Sequence, residues 1–109
     1  MIWSRPAIHP GEILADELKE LGISASELAR SLHIPKNRIT QILKGQRGIT
    51  ADTALRLGRW FGTGAELWLN LQKAYELRLA QELAGEEIHS YDSTSFIYQQ
   101  SAVSSSLDR

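Results

Sequence analysis

Ala25-Ser-Glu-Leu-Ala29-Arg-Ser-Leu32-His33-Ile34-Pro35-Lys36-Asn37-Arg38-Ile39-Thr40-Gln41-Ile42-Leu43-Lys44 is the stretch that decides the fold. Two short helices that cross steeply need a small residue where they touch, and Ala29 stands there. The turn between them needs a residue that tolerates positive φ and then an apolar anchor, and His33 and Ile34 follow in that order. Glycine would be the easier choice at such a turn, and histidine is only modestly enriched at positive φ. The second helix needs inward apolar residues at helical spacing, which Ile39 and Ile42 supply. Together these features predict a helix-turn-helix.

The flanking sequence extends the helical reading in both directions. Helix 1 is expected from Pro10-Gly11-Glu12, with proline suited to the first helical position and glutamate to the positive end of the helix dipole. Ile13, Leu14, Leu18 and Leu21 keep helical spacing, and Gly22 ends it. His9, just before this helix, is expected to cap it or pack there. Ser24 and Glu27 form a capping box for helix 2. Thr50 caps helix 4, which runs to Phe61 and Gly62. Gly58 inside it costs about 1 kcal/mol relative to alanine, and a close helix crossing would account for it. Helix 5 is expected from Ala65 to about Leu83.

Residues 1–84 thus form one all-α, five-helix domain that carries the helix-turn-helix and a dimerisation surface. Residues 85–109 are rich in serine and read as a tail, in which Ile88, Tyr91, Phe96, Ile97 and Tyr98 could make a short strand. No internal repeat is visible.

Charge is segregated along the chain. The whole of the 109 residues sums to −1, yet residues 30–59 set Arg30, Lys36, Arg38, Lys44, Arg47, Arg56 and Arg59 against Asp52 alone. A basic segment can hold phosphates whatever the total. With the fold, this points to double-stranded DNA as partner. Lys36, Asn37, Arg38, Thr40 and Gln41 lie where such a recognition helix meets base edges. Arginine can fork to guanine, and asparagine or glutamine can pair with adenine. Lys44 and Arg47 lie just beyond, in reach of phosphate, as does the Ser24 hydroxyl at the start of helix 2.

Helix 5 is apolar around much of its circumference. Trp68, Leu71, Tyr75 and Leu79 mark the centre of that arc, and more apolar surface than one domain needs predicts a homodimer through them. A two-fold dimer would present two recognition helices about 34 Å apart, one turn of DNA.

Other function classes find no support in the sequence. There is no cysteine, which excludes disulfides and thiolate metal sites and fits a cytoplasmic protein. His9, His33 and His89 do not fall at metal-ligand spacing, so no metal and no cofactor is expected. No glycine-rich phosphate loop occurs, and the protein is expected not to be an enzyme. Trp60, Phe61 and Trp68 read as core rather than a ligand cage. No apolar run reaches the roughly 18 residues of a membrane span, and the first residues lack the apolar segment of a signal peptide.

His9-Pro10-Gly11-Glu12, Ser26-Glu27-Leu28-Ala29, Ile39 to Gly45, Thr50 to Phe61 and Trp68-Leu69-Asn70-Leu71-Gln72 together resemble the HigA family of antitoxins, within the lambda-repressor-like group. The helix-turn-helix part is shared by very many regulators; the first and last of these pieces are the specific ones. The resemblance implies a dimer that binds its own operator, represses its operon and neutralises a HigB-like toxin, a ribosome-dependent mRNA-cleaving enzyme. One departure is Ala25, where many of the group carry a glutamine that touches phosphate. A small RNA-cleaving toxin would be basic. The acidic residues of helix 1, Glu12, Asp16, Glu17 and Glu20, are therefore the candidate toxin-binding surface, and an ordinary solvated face is the equally open reading. A stand-alone repressor of phage or restriction-control type, without a toxin, is the alternative; an adaptor that keeps the fold and binds only protein is a third.

Overall fold

The fold comes from a computed structural model, in which residues 6–92 are described. Its elements are α1 (Pro10–Leu21), α2 (Ala25–Leu32), α3 (Lys36–Leu43), α4 (Ala51–Phe61) and α5 (Ala65–His89). The all-α, five-helix expectation holds, and each helix begins where local chemistry starts it. The His9 Nδ1 accepts from the Gly11 N–H at 2.8 Å, while the Glu12 carboxylate accepts from the His9 N–H at 3.2 Å. This is a reciprocal cap with histidine in the place usually taken by serine or threonine. At α2 the Ser24 hydroxyl accepts from the Glu27 N–H at 3.1 Å and the Glu27 carboxylate accepts from the Ser24 N–H at 3.0 Å. The Ser24 N–H foremost, and then the Ser24 hydroxyl, hold the Glu27 carboxyl below the usual range. The Thr50 hydroxyl caps α4 by accepting from the Thr53 N–H.

The core gathers Leu14 and Leu18 of α1, Leu28, Ala29 and Leu32 of α2, Ile39 and Ile42 of α3, Ile49, Ala54 and Leu57 around α4, and Trp68 of α5. α2 packs on α3, α4 on α5 and α2, and α1 on α3 and α5. Two glycines permit the closest approaches. A Cβ on Gly11 would lie within van der Waals overlap of the Ile42 carbonyl of α3. A Cβ on Gly58 would lie 2.3 Å from the Gly64 carbonyl carbon. The crossing anticipated at Gly58 is therefore a contact with the turn between α4 and α5.

The turn of the helix-turn-helix is made as the residues suggest. His33 sits at φ 58°, the one non-glycine residue at positive φ among those described. The Ile34 N–H donates to the Ala29 carbonyl at 3.0 Å, which closes α2, and Ile34 packs against the core.

α5 departs from expectation. It continues to His89, 25 residues in all, so residues 85–89 belong to the helix and not to a tail. Ile88 is helical, which removes it from the expected strand; Phe96, Ile97 and Tyr98 lie outside the described residues. No proline interrupts the segment, and Ala80, Gln81, Glu82, Leu83, Ala84, Glu86 and Glu87 are good helix formers, enough to carry the helix past Gly85. No helix among the described residues is long and apolar enough to cross a membrane.

Candidate nucleic-acid interface

α3 turns Ile39 and Ile42 into the core. With 3.6 residues per turn, this sets Asn37, Thr40, Gln41 and Lys44 on the opposite, outermost stripe, with Lys36 and Arg38 on its two flanks. Lys36, Asn37 and Lys44 are exposed, and Thr40 and Gln41 half-exposed. The Thr40 hydroxyl donates to the Asn37 carbonyl at 3.2 Å, which leaves the hydroxyl oxygen facing outward as an acceptor. Arg47 is exposed in the loop that follows, and Ser24 is exposed at the start of α2. The Ser24 oxygen serves its cap as an acceptor, and its hydroxyl also faces the Glu27 carboxylate.

Arg38 is placed differently from its neighbours. Its Nη1 donates to the Asp52 carboxylate at 2.7 Å, and its side chain is only 28% exposed. The same carboxylate oxygen accepts from Arg56 Nε at 3.0 Å, and Arg56 Nη1 in turn donates to the Leu32 carbonyl at 2.8 Å. The Arg56 bond, with help from Arg38, holds the Asp52 carboxyl below its usual range. Sequence reasoning counted Asp52 merely as the lone acid of a basic segment. Its i,i+4 spacing to Arg56 at the start of α4 was the available signal.

The residues expected at a dimer interface are largely taken up within the chain. Trp68 is 1% exposed. Its Nε1 donates to the Thr63 hydroxyl at 3.1 Å and its ring lies 5.3 Å from that of Phe61. Trp68 is therefore a core residue and not the centre of a contact with a second copy. Tyr75 sets its ring edge-on to His9 at 4.8 Å, and Leu71 packs against the core. Leu79 is half-buried. The helical wheel counted Trp68, Leu71, Tyr75 and Leu79 as the centre of one free surface, but α4 and α1 cover most of that side in the first half of the helix. Apart from Leu67 at 43%, the exposed large apolar residues of α5 lie farther along: Leu77 at 59%, Leu83 at 79% and Ile88 at 52%. Trp60, expected in the core, is likewise at the surface, against Phe61.

Asp16, Glu17 and Glu20 are exposed on α1, and Glu12 shares its carboxylate with the cap of that helix. Among the described residues no group of three or more histidine, aspartate or glutamate side chains is placed to hold a metal.

The pattern of the helix-turn-helix family matches residues 14–68. An addiction-module antidote protein of the HigA family from Coxiella burnetii superposes with a TM-score of 0.81 and 52% identity, over 84% of this chain and 100% of that one. This chain belongs to the helix-turn-helix family, among its HigA antitoxins. The Pseudomonas aeruginosa antitoxin HigA, solved with the higBA promoter, superposes with a TM-score of 0.77 and 46% identity, over 82% of this chain and 99% of that one. Virulence-associated protein I of Dichelobacter nodosus is 59% identical over 78 residues, which are 71% of this chain and 72% of that protein.

The two sequence motifs most specific to the HigA resemblance have structural explanations. His9-Pro-Gly-Glu12 caps α1 and lets it approach α3. In Trp68-Leu-Asn-Leu-Gln72, the tryptophan fills the core, while the Gln72 Oε1 accepts from the Ile49 N–H at 2.8 Å. Gln72 thereby fixes the loop between α3 and α4, and its Nε2 donates to the Glu76 carboxylate at 2.8 Å.

Proposed function

We propose that this HigA-type protein binds the operator of its own operon as a dimer, and that it neutralises a HigB-like toxin that cleaves mRNA on the ribosome. The observation that carries the DNA part is the outward stripe Asn37, Thr40, Gln41 and Lys44 on α3, with Lys36, Arg38, Arg47 and Ser24 around it. It offers base-reading amides at its centre and cations at its rim, the division of labour that specific recognition requires. The solved P. aeruginosa relative carries its own promoter DNA, and that likeness supports the same role here.

Pairing of two copies falls to the far half of α5. Leu77, Ala80, Gln81, Gly85, Ile88 and His89 line a shallow groove there of about 270 Å³. Leu77, Gln81, Ala84 and Ile88 recur at three- and four-residue intervals, the spacing of a helix-to-helix seam. Toxin binding falls to the acidic outer face of α1, which leaves α3 free, so that toxin and operator can be held together.

The direct test is co-expression with the neighbouring reading frame, together with a gel-shift titration on the DNA upstream of the operon. Growth arrest by the neighbour, relieved by this protein, and a salt-sensitive shift of the upstream DNA are the expected results. A harmless neighbour would leave a stand-alone repressor. Absence of any DNA shift would overturn the repressor role.

A further inference from the structure

We propose that Asp52 is a positioning residue for operator recognition, fixing the Arg38 guanidinium so that its remaining edge reads a guanine. This rests on the DNA-binding reading above and names the device that sets its specificity. Arg38 offers five N–H donors in a planar fork. Asp52 engages Nη1 at 2.7 Å, which leaves the Nε and Nη2 donors, a parallel pair of the kind that matches guanine O6 and N7.

An exposed ion pair by itself contributes little to stability, and a long side chain at a helix flank ordinarily samples many rotamers. Asp52 differs from a free surface carboxylate because it is itself held. Its Oδ2 also takes Arg56 Nε at 3.0 Å, and Arg56 is anchored through Nη1 to the Leu32 carbonyl, at the end of α2, at 2.8 Å. The relay therefore runs from the backbone of α2, through Arg56 and Asp52 of α4, to Arg38 of α3. It fixes the plane of the Arg38 fork relative to the helix pair that docks on DNA. Ordering lost on binding is then already spent in the free protein.

The negative charge of Asp52 beside the basic face acts on the phosphates of every duplex alike, so it lowers affinity overall and cancels in the discrimination ratio. Lys36 and Lys44, by contrast, have no carboxylate within ion-pair distance among the described residues, and they supply charge without a fixed plane.

The experiment compares full-length protein with Asp52→Asn, Arg38→Lys, Arg38→Ala and the Asp52→Asn/Arg38→Ala double variant. Fluorescence anisotropy on the DNA immediately upstream of the coding sequence, and on a scrambled duplex of the same length, gives the discrimination ratio and its salt slope. Circular dichroism melts confirm that each variant is folded. Asp52→Asn is expected to lower the ratio about tenfold or more, with scrambled-duplex affinity unchanged or raised. Arg38→Lys keeps the charge and should lose the ratio while it keeps the salt slope, and this variant carries the test even where Asp52→Asn folds poorly. In the Arg38→Ala background, Asp52→Asn should change the ratio no further. A ratio preserved in Asp52→Asn, or preserved in Arg38→Lys, or a further loss in the double variant, overturns the proposal. No site preference in the unmodified protein would overturn the DNA-binding reading itself; a clear preference that Asp52→Asn leaves intact overturns only this inference.

Discussion

Gly58→Ala sets two physical effects against each other, and the structure decides the sign. Gly58 lies inside α4, where alanine is intrinsically favoured over glycine by about 1 kcal/mol. Propensity alone therefore predicts a more stable protein. The added Cβ, however, would lie 2.3 Å from the Gly64 carbonyl carbon, 2.4 Å from its oxygen and 2.5 Å from the Ala65 nitrogen. All three are backbone atoms, so no side chain can rotate away. Ordinary contact requires a retreat of about 1 Å. That retreat pulls on the two bonds that fold the chain back from α4 into α5, Thr63 N–H and Gly64 N–H to the Gly58 carbonyl at 3.0 and 3.2 Å. Overpacking costs about 1–3 kcal/mol and a weakened hydrogen bond about 1 kcal/mol. After the gain in propensity, a net loss of about 1–3 kcal/mol remains, or roughly 4–20 °C in Tm for a domain of this size. Thermal and urea unfolding followed by circular dichroism at one fixed protein concentration measure it. Asn70→Ala, on the exposed face of α5, reports propensity without the contact and should be neutral or slightly stabilising. A Gly58→Ala melt equal to or above that of the unmodified protein would refute the close approach and the packing of α4 on α5 derived from it.

Gln72→Leu should cost about 1–3 kcal/mol, because the buried Ile49 N–H loses its acceptor; urea midpoints check it. Lys44→Ala should weaken binding to all duplexes alike and reduce the salt slope of log K by about 1, measured by anisotropy at several salt concentrations. The Asp52 carboxyl is lowered in the folded protein, so its ion pairs stabilise the fold above the unfolded value near 3.8 and the effect is lost as pH falls through the lower, folded value. The stability difference between the protein and Asp52→Asn should therefore be full at neutral pH and shrink below about pH 4, as acid unfolding at matched ionic strength will show. Leu77→Glu together with Ile88→Glu should yield a monomer by light scattering while the melt of the domain core is kept.

Local chemistry was legible where one residue type has one structural use. Ser24 with Glu27, Thr50, and Pro10 after His9 mark helix starts, and the structure begins α1, α2 and α4 there. His33 was expected at a left-handed turn, and it occupies one. What stayed hidden depends on which of several equivalent partners a side chain meets. A helical wheel records that Trp68, Leu71, Tyr75 and Leu79 share an apolar arc. It does not record that α4 and His9 cover the first three, while Leu77 and Ile88, on the opposite side of the helix, stay open. Likewise, Arg38 was expected among the base-reading residues of α3, but its pairing across to Asp52 joins residues 14 apart in sequence, and no spacing rule reaches that far. The end of α5 was misplaced because the serine-rich composition of the last residues outweighed the helix-forming run that precedes them.

The residues that place this chain among HigA antitoxins and the residues that would distinguish its operator are different sets, for a physical reason. His9, Gly11, Trp68 and Gln72 are buried, and each satisfies a constraint that admits few substitutes. His9 caps α1, Gly11 leaves room for a carbonyl, Trp68 fills the centre, and Gln72 answers an N–H in the loop that follows α3. Their joint effect is to fix α1, α3, α4 and that loop as one rigid frame. Asn37, Thr40, Gln41 and Lys44 stand on the outer face of that frame and contribute no core contact. They can therefore change without disturbing the fold, and under the proposed reading the DNA sequence recognised would change with them. Asp52 belongs to neither set alone: it is exposed, yet its partners lie on α3 and α4. A substitution there would leave the frame standing while it altered what the frame presents, and for that reason it separates recognition from folding more cleanly than any change within the core.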